Sequence, residues 1–386
     1  MKYEQIDGRM KKVIVMDVRV NNFYAFKNFH INMSYPKKIA NSSIRNEYLA
    51  DKPNFRYKKV NILMGANAAG KTSFGKMLMN IFNFINKRNY SILTSKICDV
   101  KKDASFSIDF IVSKNVLYRL ECEITPPKDM DDYDDTNIDL YVKFVEIQDR
   151  DNYERCAARL DNIKRTESYD YLTELEKIEK LCWYFEYPAD ASQENVLQMP
   201  IDSPKFVKVL ENVLKALDPS IQKVEKSKDS SSAFVVRLKN KSVIIQNDEK
   251  FSTELLSSGT KAGIAVAGVI VRMKENRNSF YYCDEKFSYI HSDLEKAVLS
   301  ILINSISKND QLFFTTHNTD ILDMPLPKHA FTFLRKNIDN EEVPIEAVYA
   351  CDFLKRNTDS LRCAVENDLF LTAPAIDSIY EIEDMY

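Results

Sequence analysis

Gly65-Ala-Asn-Ala-Ala-Gly70-Lys71-Thr72 places a lysine and a hydroxyl directly after a turn bracketed by glycines. Such a turn lets several backbone N–H groups converge on one hollow, and a helix starting there adds the positive end of its dipole. The spacing is GxxxxGK followed by Thr, and its chemistry is the binding of nucleotide phosphates. Lys71 is expected to bridge the β- and γ-phosphates, and the Thr72 hydroxyl to ligate Mg²⁺. Gly65, Asn67, Ala68, Ala69, Gly70 and Ser73 form the rest of the cradle. A chance strand-to-helix turn seldom meets the whole pattern, and VNILM (60–64) before it and a helical repeat after it supply the required context.

Phe280-Tyr-Tyr-Cys-Asp284-Glu285 is an apolar run ending in two acids. That pair is common by itself, but in a chain with a phosphate loop it suits a second buried strand. Asp284 then holds Mg²⁺, directly or through water, and Glu285 takes a proton from the attacking water. Leu312-Phe-Phe-Thr-Thr-His317 is a third such run. A lone histidine at a strand end is more often structural, yet beside bound phosphates His317 would contact the γ-phosphate and position the water. Leu256-Ser257-Ser258-Gly259-Thr260 opens a nearly all-apolar helix. The plain reading is a serine N-cap. The sharper one has Ser257, Ser258, Gly259 and Thr260 facing a γ-phosphate held by another subunit.

These residues need strands that end together and helices that start there. Apolar alternation over 13–33 predicts paired strands, and the polar stretch 36–56 an exposed connection. VNILM predicts a buried parallel strand, and Met77, Leu78, Ile81, Phe82 and Ile85 one face of the helix after the loop. Three strands are expected over 104–146. From 150 to 225 the pattern turns helical, including YLTELEKIEKLCWYF and KFVKVLENVLKAL. Strands are predicted at 233–238 and 243–246. The remainder alternates: helix 260–274, strand 280–283, helix 292–306, strand 311–315. His291 is read as a loop residue, while His30 and His329 carry no signal. The division is then an N-terminal lobe over 1–150, a helical insertion or lid over 150–225, a C-terminal lobe over 226–350 and a tail over 351–386. The tail's Leu354, Leu361, Val365, Leu369, Phe370 and Leu371 either cover the core or dock another protein.

Composition narrows the classes. The 386 residues carry a net charge of −3, so any nucleic-acid contact would be a local groove. Seven scattered cysteines, none spaced CxxC, argue against a disulfide framework or a zinc site and for a reducing, cytoplasmic compartment. Lys11 and Lys12 precede an apolar stretch that Asp17 and Arg19 interrupt, which predicts no signal peptide. The longest strongly apolar run, 264–271, is too short to cross a bilayer. Of only seven glycines, Gly65, Gly70, Gly75, Gly259, Gly263 and Gly268 fall in two short segments, where the backbone turns sharply or approaches something closely.

In this order the phosphate loop, LSSGT, the Asp-Glu strand and the histidine strand resemble the head of ABC-type ATPases. NNFYAFKNF, LSSGTK and DEKFSYIHSDL bring the resemblance closest to the RecF, SMC and OLD-like group, over roughly 13–30, 57–85 and 250–335. It implies an α/β P-loop NTPase fold, an ABC-type head with a mixed sheet, an antiparallel β subdomain and a helical insertion. It also implies ATP and Mg²⁺ as cofactors, a homodimer or higher oligomer closed around ATP, and no membrane. A separate effector, nuclease or toxin, is implied as partner in bacterial anti-phage defence, with nucleic acid as a further ligand. Lys286 departs from the group's usual proline after the glutamate, and Ser258 from the glycine of transporter signatures. Between 90 and 150 only Gln148 stands as a coupling glutamine, which is too weak to assign. A repair or recombination ATPase, a transporter nucleotide-binding subunit and an ATP-binding scaffold without turnover are the competing readings. Every acid placed at a strand end is assigned to the ATP site, so the chain is not expected to carry out the terminal cleaving or toxic chemistry itself.

Overall fold

The computed structural model describes residues 11–38, 42–112, 115–128, 132–165, 169–187, 199–246, 258–287, 290–337, 340–356, 358–373 and 377–382. The N-terminal strands are β1 (Lys11–Asn21), β2 (Phe29–Asn32), β3 (Tyr48–Leu49), β4 (Lys52–Arg56) and β5 (Val60–Met64). Helices α1 (Lys71–Lys87) and α2 (Ser91–Thr94) follow, then β6 (Ala104–Val112), β7 (Val116–Ile124) and β8 (Ile138–Glu146). Next come α3 (Tyr153–Asp161), α4 (Tyr171–Leu175), β9 (Leu181–Glu186) and α5 (Phe206–Leu217). Strands β10 (Ile221–Lys226), β11 (Ala233–Leu238) and β12 (Ser242–Gln246) precede α6 (Ser258–Lys274), β13 (Phe280–Asp284), α7 (Ser292–Ser305) and β14 (Gln311–Thr315). The chain ends with β15 (Phe331–Lys336), β16 (Ile345–Tyr349), α8 (Ala350–Phe353), α9 (Leu361–Glu366) and α10 (Asp377–Tyr380).

The largest sheet runs β16-β15-β5-β14-β13-β9-β1-β6-β7-β8, with β2 on β1. From β15 through β9 neighbouring strands are parallel, whereas β1, β6, β7 and β8 pair antiparallel with one another. A second, antiparallel sheet is β10-β11-β12.

Parallel strands buried on both faces send alternate side chains to two different cores. Phe280, Tyr282 and Phe313 join one core, with Phe74, Met77, Leu78, Ile81, Phe82 and Ile85 of α1. Those helix residues recur every three or four positions, which puts them on one face of α1. Tyr281, Cys283, Leu312 and Phe314 point the other way, to Val266, Val269, Ile270 and Met273 of α6 and Leu299 and Leu302 of α7. Helices α1 and α6 therefore cover opposite faces of one sheet.

Two expectations are corrected. The stretch YLTELEKIEKLCWYF is not one helix: α4 stops at Leu175, and Leu181–Glu186 is a strand between β13 and β1. LCWYFE inserts aromatic residues on both faces of the sheet, an environment that local helical spacing does not encode. The stretch 36–56 is not a wholly exposed connection, because the β3–β4 hairpin buries Leu49 and Phe55 against Ile14 and Met16 of β1. His291 lies in the loop before α7, as expected. It N-caps α7, its Nδ1 accepting from the Asp293 N–H at 3.2 Å.

The tail covers the core: Phe370 is fully buried and stacks on Phe333 with centroids 4.2 Å apart, and Leu361 is buried beside it. Leu369 and Leu371 are exposed. Among the described residues no helix is long and apolar enough to cross a membrane.

Candidate functional site

Strands β5, β13 and β14 run parallel, so Gly65, Asp284 and His317 all emerge at one edge of the sheet. The carboxyl ends of parallel strands are where this class of sheet places its ligand.

The loop 65–70 turns on two glycines. Gly65 sits at φ 144°, and a Cβ there would lie 2.2 Å from the Leu334 carbonyl oxygen, so no side chain fits. Gly70, at φ 97°, is the N-cap of α1 and leaves the N terminus of that helix open to the loop. Asn67 and Ala68 are exposed on the rim, Ala69 is buried, and Thr72 and Ser73 are partly exposed in the first turn of α1. The Lys71 amine lies inside this turn, donating to the Gly65 and Ala66 carbonyls at 2.9 and 3.2 Å. The Tyr282 hydroxyl donates to the Lys71 carbonyl at 2.6 Å, fastening the start of α1 to β13.

The two acids differ in setting. Asp284 is fully buried and accepts from the Thr315 hydroxyl at 2.8 Å. Burial pushes its pKa up to about 6, against the pull of the Thr315 hydroxyl and of the nearby Thr72 hydroxyl. Its Oδ2 is buried and forms no hydrogen bond. Such an orphan oxygen next to a threonine hydroxyl fits a hard divalent cation, which takes oxygen ligands and relieves the burial of the charge. Asp284 and Thr72 would hold Mg²⁺.

Glu285 adopts φ 41°, the left-handed region that costs a non-glycine residue about 1–3 kcal/mol. Its N–H donates to the same Thr315 hydroxyl at 2.9 Å. One carboxylate oxygen, Oε1, lies 3.3 Å from the Lys71 amine and 2.9 Å from His317 Nε2. Burial raises the Glu285 pKa, but the His317 hydrogen bond and the Lys71 charge more than offset it and hold the group below its usual value. Burial likewise lowers the Lys71 pKa, against the pull of Glu285. Lys71, Glu285 and His317 thus meet at one oxygen, on the rim of the phosphate loop. A half-buried base paired to a lysine and a histidine there can accept a water proton.

Below His317, Thr316 Oγ1 and Asn318 Nδ2 donate to the two oxygens of Glu295 on α7, at 2.6 and 2.7 Å. This clamp fixes the turn that carries the histidine.

Ser257 lies outside the described residues. Ser258 opens α6, Gly259 follows, and the Thr260 side chain is buried. The connection 275–279 is short, so α6 ends where β13 begins and its N terminus points back toward the same sheet edge as the phosphate loop, on the opposite face. Thr315, Tyr282 and Glu295 also build the site, and their types and spacing in the sequence do not mark them. Only the Thr-Thr-His triplet carried a local signal, as hydroxyls at a strand end.

A P-loop nucleotide-binding edge on a sheet of this topology defines the class: a P-loop NTPase with an ABC-type head fold. The chain belongs to the family described as "AAA domain, putative AbiEii toxin, Type IV TA system", whose model matches residues 60–323. Its fold is similar to an SMC head crystallised with the C-terminal winged-helix domain of ScpA, at 14% identity and TM-score 0.50, covering 89% of this chain and 99% of that one. It is also similar to an SMC head with an extended coiled coil bound to the C-terminal domain of ScpA from Pyrococcus furiosus. There the identity is 12% and the TM-score 0.50, covering 89% of this chain and 98% of that one. The sequence matches no curated protein.

Proposed function

We propose that this chain binds and hydrolyses ATP in a site completed by a second copy of itself, and that the ATP-bound dimer controls a separate effector protein. The observation that carries the reading is the meeting of Lys71, Glu285 and His317 at one carboxylate oxygen beside the loop. Backbone N–H groups of 65–71 and the start of α1 hold the phosphates, and Lys71 bridges the β- and γ-phosphates. Thr72 and Asp284 hold Mg²⁺, which neutralises phosphate charge. Glu285 takes the proton of the attacking water, and His317 fixes the orientation of the carboxylate and of that water. Ser257, Ser258, Gly259 and Thr260 of the second copy close over the γ-phosphate. Two features support this last role: α6 covers the face opposite α1, and its N terminus points to the sheet edge from which a second copy would approach.

The solved SMC heads were crystallised with ScpA domains, which supports a head of this fold docking a second protein. The toxin–antitoxin wording of the family description supports a place in bacterial defence, with the chain as nucleotide switch. Purified protein with ATP and Mg²⁺ is expected to release phosphate slowly while leaving plasmid, single-stranded DNA and tRNA intact. Metal-dependent cleavage that survives Glu285→Gln in a nuclease-free preparation would overturn the separate-effector part. Absence of phosphate release from folded protein, with or without DNA, would overturn the ATPase part.

A further inference from the structure

Lys286, where the resembled group carries proline, pairs across the strand ends with β9. Glu285 directs its carboxylate to Lys71, while the Lys286 amine crosses to Glu186 Oε1 at 2.9 Å, both side chains nearly buried (7% and 13% exposed). Glu186 is the last residue of β9 and stands beside Cys283 in the β9–β13 register. Its second oxygen accepts from the Tyr184 hydroxyl at 2.5 Å. Tyr184, two residues back on the same face of the strand, lies under the Arg272 guanidinium of α6, 4.8 Å from the ring centroid. The Arg272 carbonyl in turn accepts from the Tyr281 hydroxyl of β13 at 3.3 Å.

We propose that Lys286, Glu186, Tyr184 and Arg272 form a positioning relay that ties the last turn of α6 to the backbone turn presenting Glu285. The inference rests on the ATPase reading above. A buried ion pair requires a defined geometry, since either charge alone would be stranded away from water. The residue it anchors directly follows Glu285, whose left-handed backbone must be held by its surroundings. Anchoring Lys286 fixes where the Glu285 carboxylate points. The Tyr184–Arg272 contact makes that anchor sensitive to the placement of α6, the helix whose first turn meets the second copy's nucleotide. The four residues are positioning residues and touch no reacting atom.

Full-chain Lys286→Met, Glu186→Gln and Tyr184→Phe test this, with the exchanged pair Lys286→Glu/Glu186→Lys. Lys286→Met and Glu186→Gln are expected to lower kcat about 10- to 100-fold. The KM for ATP and the affinity for a fluorescent ATP analogue should stay within about two-fold, because ground-state binding is untouched. The exchanged pair regains a large part of the lost kcat. Amide hydrogen exchange on nucleotide-free protein should rise together at 283–287 and at 270–274 in the single variants. Lys286→Met that is folded and turns over ATP like wild type would overturn the relay, as would added exchange confined to 283–287. If Lys286→Met does not fold, Tyr184→Phe, which leaves both charges paired, carries the same two readouts. Loss of the ATPase reading looks different: Glu285→Gln would turn over like wild type, and the relay is then judged on exchange alone.

Discussion

Asp284 is held by forces that oppose one another: a buried carboxylate is penalised for its charge, while the threonine hydroxyls beside it favour that charge. Its raised pKa means the folded chain holds this proton more tightly than the unfolded chain. The cost to stability is therefore absent below about pH 4, grows between about pH 4 and 6, and is fully present above that. Asp284→Asn should stabilise the nucleotide-free protein at pH 7.5 by an amount on the order of 2 kcal/mol, raising its melting temperature, and the gain should vanish near pH 4. Differential scanning calorimetry at the two pH values decides it, and an equal effect at both would contradict the assignment. Mg²⁺-dependent nucleotide binding should weaken in wild type as pH falls through about 6, since the protonated carboxyl cannot ligate. Lys71 bears the amine inside the loop, and Lys71→Ala should weaken ATP-analogue binding by about two orders of magnitude or more. Folded Lys71→Ala that titrates like wild type would remove the phosphate loop from the account. At this scale Lys71 was legible in the sequence from the glycine spacing of its loop, and Asp284, Glu285 and His317 because each ends or follows a short apolar run. Thr315, Glu295 and the Lys286–Glu186 pair were not, because their partners are distant in the chain and a lone hydroxyl or acid carries no local signature.

The elements that position these residues are fastened by aromatic rings. Phe185, Tyr282 and Phe313 stack nearly parallel across three neighbouring strands, at 5.1 and 5.6 Å between centroids, and α1 rests on them at Gly75. A Cβ on Gly75 would meet the Tyr282 ring at 2.4 Å and Phe185 at 2.7 Å. Alanine usually favours a helix over glycine by about 0.5–1 kcal/mol. Here overpacking should win, so Gly75→Ala is expected to cost about 1–3 kcal/mol net and to weaken nucleotide binding. Gly263 in α6 is the contrast. Its Cβ would meet the tip of Leu217, a flexible side chain, so Gly263→Ala should stay within about 1 kcal/mol of wild type. Urea unfolding of both variants tests the pair, and equal effects would contradict the ring-stack explanation. Strand β5 was legible because VNILM is short, apolar and followed by glycine. Strand β9 was not: Leu172, Leu175, Ile178, Leu181 and Phe185 keep helical spacing into a segment that becomes a strand only through β13 and β1. Phe55 and Leu49 were hidden among polar neighbours, and burial against β1 was the deciding contact.

On the scale of the whole molecule, the sheet separates two surfaces that a nucleotide would bring together in the proposed dimer. The phosphate loop opens α1 on one face, and the first turn of α6 stands on the other. In that proposed dimer a second copy would supply Ser257–Thr260 across the nucleotide, and bound ATP would hold the copies together until it is cleaved. Glu285→Gln keeps the size and hydrogen bonds of the side chain but cannot take the proton of water. Static light scattering of this variant, with nucleotide occupancy measured in the same sample, addresses the central claim directly. The account predicts a monomer mass without nucleotide and a doubled or higher mass with ATP and Mg²⁺, reversed by adding Ser257→Arg. A mass that does not change while ATP is demonstrably bound would contradict it.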